Sequence, residues 1–517
     1  MIEPRRRTGG ILLHPTSFPS PFGIGALGPE AHAFVDFLAR AGQGLWQVLP
    51  LVPTGYGDSP YQGLGAMAGN PLLVSPDVLV QEGLLKVEEL TQAPVDSEEV
   101  DFGAVIAWKT RLLGHVAERF DARATIERRR AFEGFLEAQG WLPDFALFAT
   151  LKQAHGGRAW TQWDPELVAR RPEALERARQ RFGPQLRAQA LAQFFFAEQW
   201  VALRRRCEAQ GVRLVGDLPI YPALDSAEVW ARRELFELDE QGAPTLVAGV
   251  PPDYFSTDGQ RWGNPLYRWA DSPEACVAFF VERARAVAEQ VDLVRLDHFR
   301  GLEAYWAIPA DAPTAASGQW QPGPGAALLS ALQTALGGLP FIAENLGVIT
   351  EAVESLRRSY RLPGMAVLQF AFGTDPQAVS FRPHGYGRDL VAYTGTHDND
   401  TTLGWWQSDG GDSTRSADEV RREKDFALRY LNTQGDEMNW VLLRALWASV
   451  ADTAVAPLQD VLGLGSRARM NRPSTPSGNW RWRFTRGALT EVLADRLGEL
   501  SALYERTAPG ARVSSNQ

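Results

Sequence analysis

Three acidic residues each close an apolar, strand-like run in the second half of the chain. Asp297 ends Leu293-Val294-Arg295-Leu296-Asp297. Glu344 ends Phe341-Ile342-Ala343-Glu344. Asp398 follows Ala392-Tyr393-Thr394-Gly395-Thr396-His397. A carboxylate at the exit of a buried strand is costly to desolvate unless it has work to do. Successive parallel strands that end this way bring their carboxylates to one rim. A nucleophile, a proton donor and a third acid that grips the sugar are the equipment for cleaving a glycosidic bond.

Arg295 stands two residues before Asp297, and positions i and i+2 of a strand share a side. The guanidinium would then hold Asp297 ionised, as a carboxylate nucleophile requires. A purely structural ion pair fits the same spacing. Glu344 follows three apolar residues, and desolvation there would raise its carboxyl toward the protonated state of a general acid. Retaining cleavage would need it ~5–5.5 Å from the nucleophile, and inverting cleavage a wider gap. Thr396-His397-Asp398-Asn399-Asp400 packs hydrogen-bonding side chains into one loop, suited to neighbouring sugar hydroxyls. His397 and His298 do not form a metal-type spacing and an oxygen-rich loop alone suggests only calcium, so a sugar site is the expected reading over a metal. Carboxylates do the work, so no cofactor is expected. Asp217, at the end of another apolar run, reads as a partner of Arg295.

Eight short apolar runs read as buried parallel strands: 10–14, 46–51, 212–220, 293–299, 340–346, 366–372, 390–395 and 453–459. Helical patterns such as 326–336 and 350–358 separate the later ones. This repeat predicts a (β/α)8 TIM barrel, whose active sites lie where strands end. Two connections are unusually long. Residues 52–211 form an inserted subdomain with a helical part, including 131–138, 172–182 and 185–210. The Arg204-Arg205-Arg206 run near the end of the last reads as a solvated helix C-terminus. Residues 221–291 form a second insertion carrying a loop at 250–264. The insertions are expected to be mainly helical.

The 517 residues carry a formal charge of −10, which argues against nucleic acid or an anionic membrane as partner. Two cysteines make no disulfide framework and fit a reducing cytoplasm. No stretch approaches the ~20 apolar residues of a membrane span. The seventeen Trp supply flat faces for stacking against sugars, although many belong to the core.

The chain resembles the 4-α-glucanotransferases, the amylomaltase or disproportionating-enzyme family of the α-amylase clan. The resemblance runs over nearly the whole sequence. It rests on Gly10-Ile11-Leu12-Leu13-His14-Pro15-Thr16-Ser17, Asp58-Ser59-Pro60-Tyr61, Gly216-Asp217-Leu218-Pro219-Ile220-Tyr221 and Pro251-Pro252-Asp253-Tyr254-Phe255. It continues in Gly263-Asn264-Pro265, Arg295-Leu296-Asp297-His298-Phe299-Arg300, Thr396-His397-Asp398-Asn399-Asp400 and Arg469-Met470-Asn471. The Asp58 and Pro251 segments are the more particular to transferases.

The resemblance implies transfer of α-1,4-glucan segments among maltooligosaccharides, with glucose also an acceptor, by a retaining double displacement. It implies Asp297 as nucleophile, Glu344 as acid then base, and Asp398 as transition-state stabiliser. It places Ser59, Tyr61, Asp217, Trp262, Arg295, His298, Asn345, His397 and Asn471 at sugar subsites, with Tyr254 and Phe255 on a loop covering the acceptor side. An α-glucan hydrolase or a non-catalytic glucan-binding protein would share many of these features. The chain departs from the family at Asn345, usually Asp, where an acceptor-side hydrogen bond would lose a charge. It departs again at Ser474, usually Gly.

Overall fold

The computed structural model describes residues 7–252, 258–410 and 416–508, so Tyr254 and Phe255 lie outside the described residues. In chain order the strands are β1 (Thr8–Leu12), β2 (Leu45–Gln47), β3 (Arg213–Leu218), β4 (Leu246–Val250), β5 (Gln260–Pro265) and β6 (Leu293–Leu296). They continue as β7 (Ala304–Pro309), β8 (Gln319–Pro322), β9 (Phe341–Ala343), β10 (Gly364–Val367), β11 (Leu390–Tyr393) and β12 (Thr453–Pro457).

Eight of these, ordered β10-β11-β12-β1-β2-β3-β6-β9, form one parallel sheet, one strand for each expected apolar run. Alternation sorts their side chains into two layers. Leu12, Val215, Ile342, Met365, Val391 and Val455 pack together inside the ring. Their neighbours Ile11, Leu214, Phe341, Ala366, Ala392 and Ala454 join the core beneath the surrounding helices. This is the (β/α)8 barrel. The ring closes between β9 and β10 without a ladder. Ala343 N donates to Pro363 O at 2.9 Å, and Met365 N donates to the Asn345 side-chain carbonyl at 2.7 Å.

Helices fill the 52–211 connection. The longest, Gly183–Ala209, begins with Pro at its first turn and buries Phe194, Phe195, Phe196 and Trp200. Phe120 and Phe132 pack against Phe194 from helices Phe102–Arg123 and Ile126–Ala138. At its far end Arg206 pairs with Asp36 and Arg204 reaches Glu289 O, so part of the arginine run fastens the helix to the barrel.

The 221–291 insertion holds helices Ala227–Ala231 and Pro273–Ala288 and two strands besides. It supplies β4 and β5 to a four-stranded sheet, ordered β5-β4-β7-β8, with antiparallel neighbours. Strands β7 and β8 come from the connection after β6, so this layer stands over the mouth beside the strand that ends at Asp297. Among the described residues no helix is long and apolar enough to cross a membrane. Cys207 and Cys276 are buried free thiols.

Candidate active site

The barrel ladder runs on past the formal strand ends, and this fixes the acids. Asp297 N donates to Leu218 O at 3.0 Å and Glu344 N to Leu296 O at 3.1 Å. Each acid is therefore pinned by the strand before it. On β6 the inward positions are 293, 295 and 297; on β9 they are 342 and 344. Asp297 and Glu344 thus point into the mouth by parity.

Arg295 joins two carboxylates. Its Nη2 lies 2.7 Å from Asp297 Oδ1 and its Nη1 2.7 Å from Asp217 Oδ2. The Tyr61 hydroxyl donates to the same Asp217 oxygen at 2.9 Å. Arg295 and Asp217 are buried, whereas the Asp297 side chain keeps 27% of its surface open. The guanidinium meets Asp297 on Oδ1, while part of that carboxylate stays open to the cleft. Burial pushes the Asp217 carboxyl up, against the pull of Arg295.

Glu344 takes two backbone N–H groups: His298 N at 2.9 Å on Oε2 and Leu346 N at 3.0 Å on Oε1. His298 reaches it with φ near +50°, a left-handed conformation unusual for a residue with a Cβ. Burial pushes the Glu344 carboxyl up to about 7; Arg295 pulls it down and Asp297 pushes it up. It therefore titrates where a proton donor and a later proton acceptor both operate. Burial also pulls the His298 imidazole down to about 4, so it is neutral at physiological pH.

Asp398 sits on the loop after β11. Asn471 Nδ2 donates to its Oδ1 at 2.6 Å, and His397 Nε2 lies 3.4 Å from the same oxygen. Arg469 Nη2 donates to its backbone carbonyl at 2.7 Å. Asn399 closes the turn by accepting from Thr396 N at 2.8 Å. Tyr61 stacks on His397 with centroids 5.0 Å apart. Ser59 Oγ accepts from Tyr61 N at 3.2 Å and sets that ring's approach.

These groups line one cleft of about 1000 Å³. Its wall holds Ser59, Tyr61, Trp262, Arg295, Asp297, His298, Glu344, His397, Asp398 and Asn471. Trp262 stands edge-on to His298 at 4.8 Å. Asp217 lies beneath the wall rather than on it.

Asn345 is a correction to the expected subsite. Its amide nitrogen donates to Glu354 Oε1 at 2.6 Å and its carbonyl accepts from Met365 N, so the side chain closes the barrel seam. The cause is parity: with Glu344 facing the mouth, the next residue faces outward. Two wall residues carried no sequence signal. Trp480 approaches both Tyr61 and His397 at 5.8 Å, and Trp320 lies on β8.

The family model described as 4-alpha-glucanotransferase matches residues 13–490. The 4-alpha-glucanotransferase of Thermus thermophilus is 48% identical over 510 residues, spanning 97% of this chain and 99% of that protein. That of a Synechocystis species is 45% identical, spanning 97% and 98%. The solved amylomaltase from Streptococcus agalactiae in complex with acarbose superposes with a TM-score of 0.92 at 37% identity, over 97% of this chain and 100% of that one.

Proposed function

The chain belongs to the 4-alpha-glucanotransferase family, and from that premise we propose how its own residues carry the transfer. The enzyme moves an α-1,4-glucan segment from a donor to the 4-hydroxyl of an acceptor glucan, maltooligosaccharide or glucose. In the first step an Asp297 carboxylate oxygen attacks the anomeric carbon from the face opposite the leaving group. The C1–O bond breaks as Glu344 gives its proton to the departing oxygen. This leaves a glycosyl ester on Asp297 and a carboxylate at Glu344. In the second step Glu344 takes the proton from the acceptor 4-hydroxyl. That oxygen attacks C1 and expels Asp297, and two inversions give retention.

Arg295, 2.7 Å from Asp297 Oδ1, orients the attacking carboxylate and meets it again as it leaves in the second step. Asp398, oriented by Asn471 and His397, faces charge that develops on the sugar in the transition state. Tyr61, stacked on His397, offers that sugar a ring held in place by its hydroxyl on Asp217.

The observation that carries this reading is the junction at His298. The residue directly after the nucleophile supplies the amide that holds a carboxyl titrating near neutrality. Tyr254 and Phe255 belong on the acceptor side of the same reading. Support comes from their flanks, since Val250, Pro251, Gln260 and Trp262 all line the cleft.

Incubation with maltotriose and resolution of the products tests the reaction. Longer oligosaccharides together with glucose mean transfer. Shorter sugars alone would mean a hydrolase, and unchanged maltotriose a glucan-binding protein.

A further inference from the structure

We infer that Trp320 is a sugar-stacking platform for acceptor chains longer than glucose; this rests on the transfer reading above. Trp320 is the second residue of β8 and is 38% exposed, a large apolar side chain open on the cleft wall. A lone exposed aromatic is ordinary. This one is mounted, and on a particular side.

The mounting is rigid. The Arg300 guanidinium lies 3.7 Å from the Trp320 ring centroid. Trp306, its partner across the β7–β8 ladder, packs against it at 5.0 Å in an edge arrangement. Trp306 is itself held by its Nε1 donating to Ala315 O at 2.8 Å. Past Trp320 the chain is fixed where Gly323 N donates to Glu303 O at 2.8 Å. A Cβ on Gly323 would come within 2.3 Å of Leu302 O, so the strand presses on the segment carrying Arg300. An indole held this way loses little entropy when a sugar ring settles on it, and flat aromatic surface suits the apolar face of a pyranose.

The side follows from Arg300, which also donates through Nη1 to Val348 O at 2.5 Å. Val348 belongs to the loop that leaves Glu344. The acid protonates the departing oxygen, so the wall continuing from Glu344 meets the leaving group and then the acceptor. Trp262 touches His298, next to the nucleophile; Trp320 meets Arg300, two residues further along. Trp262 is therefore placed to meet the sugar that takes the bond, and Trp320 a sugar further out. Glucose has no such sugar, whereas maltotriose does.

The test holds the donor fixed as α-maltosyl fluoride and varies the acceptor between glucose and maltotriose. For Trp320→Ala, the acceptor KM of maltotriose divided by that of glucose should rise roughly tenfold over the parent, the size of a lost aromatic contact. Trp320→Phe should restore most of the difference. Trp320→Gln keeps bulk without the aromatic face and carries the same prediction should the alanine variant fold poorly. An unchanged ratio in folded Trp320→Ala or Trp320→Gln overturns the platform, as does equal worsening of both acceptors. A parent enzyme that transfers to neither sugar would instead overturn the transfer reading itself.

Discussion

The backbone N–H of His298 donates to Glu344 Oε2 at 2.9 Å. The residue after Asp297 thus helps to position the Glu344 carboxyl. Burial pushes the Glu344 carboxyl up to about 7 despite that hydrogen bond, which favours the ionised form.

The pH dependence follows. Glycosylation by an ordinary maltooligosaccharide needs Glu344 protonated, so its rate should fall about tenfold per unit as pH rises above 7. A glycosyl fluoride leaves without a proton and should lose this limb. Pre-steady-state rates for both donors across pH 5–9 check it, and coincident profiles would remove Glu344 from the role.

Water is the competing acceptor, present at tens of molar. Replacing both Tyr254 and Phe255 by Ala should lower transfer while hydrolysis holds or rises. The measurement is the ratio of new reducing ends to transfer products. An unchanged ratio in the folded double variant would place selectivity against water elsewhere in the cleft.

Much of this was legible in the sequence because barrel strands are buried on both faces and read as continuous apolar runs. The three acids stood out because a carboxylate at the end of such a run needs a reason. The β4–β5–β7–β8 layer did not stand out. Gln319-Trp320-Gln321-Pro322 is polar and mostly exposed, and no periodic signal separates it from a loop. Trp320 was hidden for the same reason. Asn345 was readable in principle: the alternation that puts Arg295 and Asp297 on one side puts Glu344 and Asn345 on opposite sides. Ser474 stands at φ near +64°, a backbone conformation that suits the glycine usual in the family.

The seam makes its own prediction. Asn345→Asp would set a carboxylate against Glu354, 2.6 Å from the present amide nitrogen. Unfolding free energy should drop by about 1–2 kcal/mol at neutral pH. Adding Glu354→Gln should recover it, and denaturant titration of the three proteins checks the cycle.

Lys109 is a buried cation outside the active site. Its Nζ donates to Val74 O between Phe22 and Trp108, and burial pulls its pKa down to about 7. Between 7 and 10.5 the unfolded chain binds this proton and the folded one does not, so stability climbs with pH across that window. Below 7 both states are protonated and the burial cost is fully present. Lys109→Met should flatten the climb, and the parent-minus-variant difference in unfolding free energy, taken from pH 6 to 10, isolates it. A pH-independent difference would mean Lys109 has an ordinary pKa.

The central claim is a glycosyl ester on Asp297, and one measurement reaches it directly. Glu344→Gln enzyme is mixed with α-maltosyl fluoride, which glycosylates without an acid and leaves an intermediate that lacks a base to resolve it. The protein is then quenched, digested and its peptides weighed. A maltosyl adduct on the peptide containing Asp297, lost when Asp297→Asn is added, is the predicted result. An adduct on any other residue, or steady fluoride release with no adduct, would contradict the account.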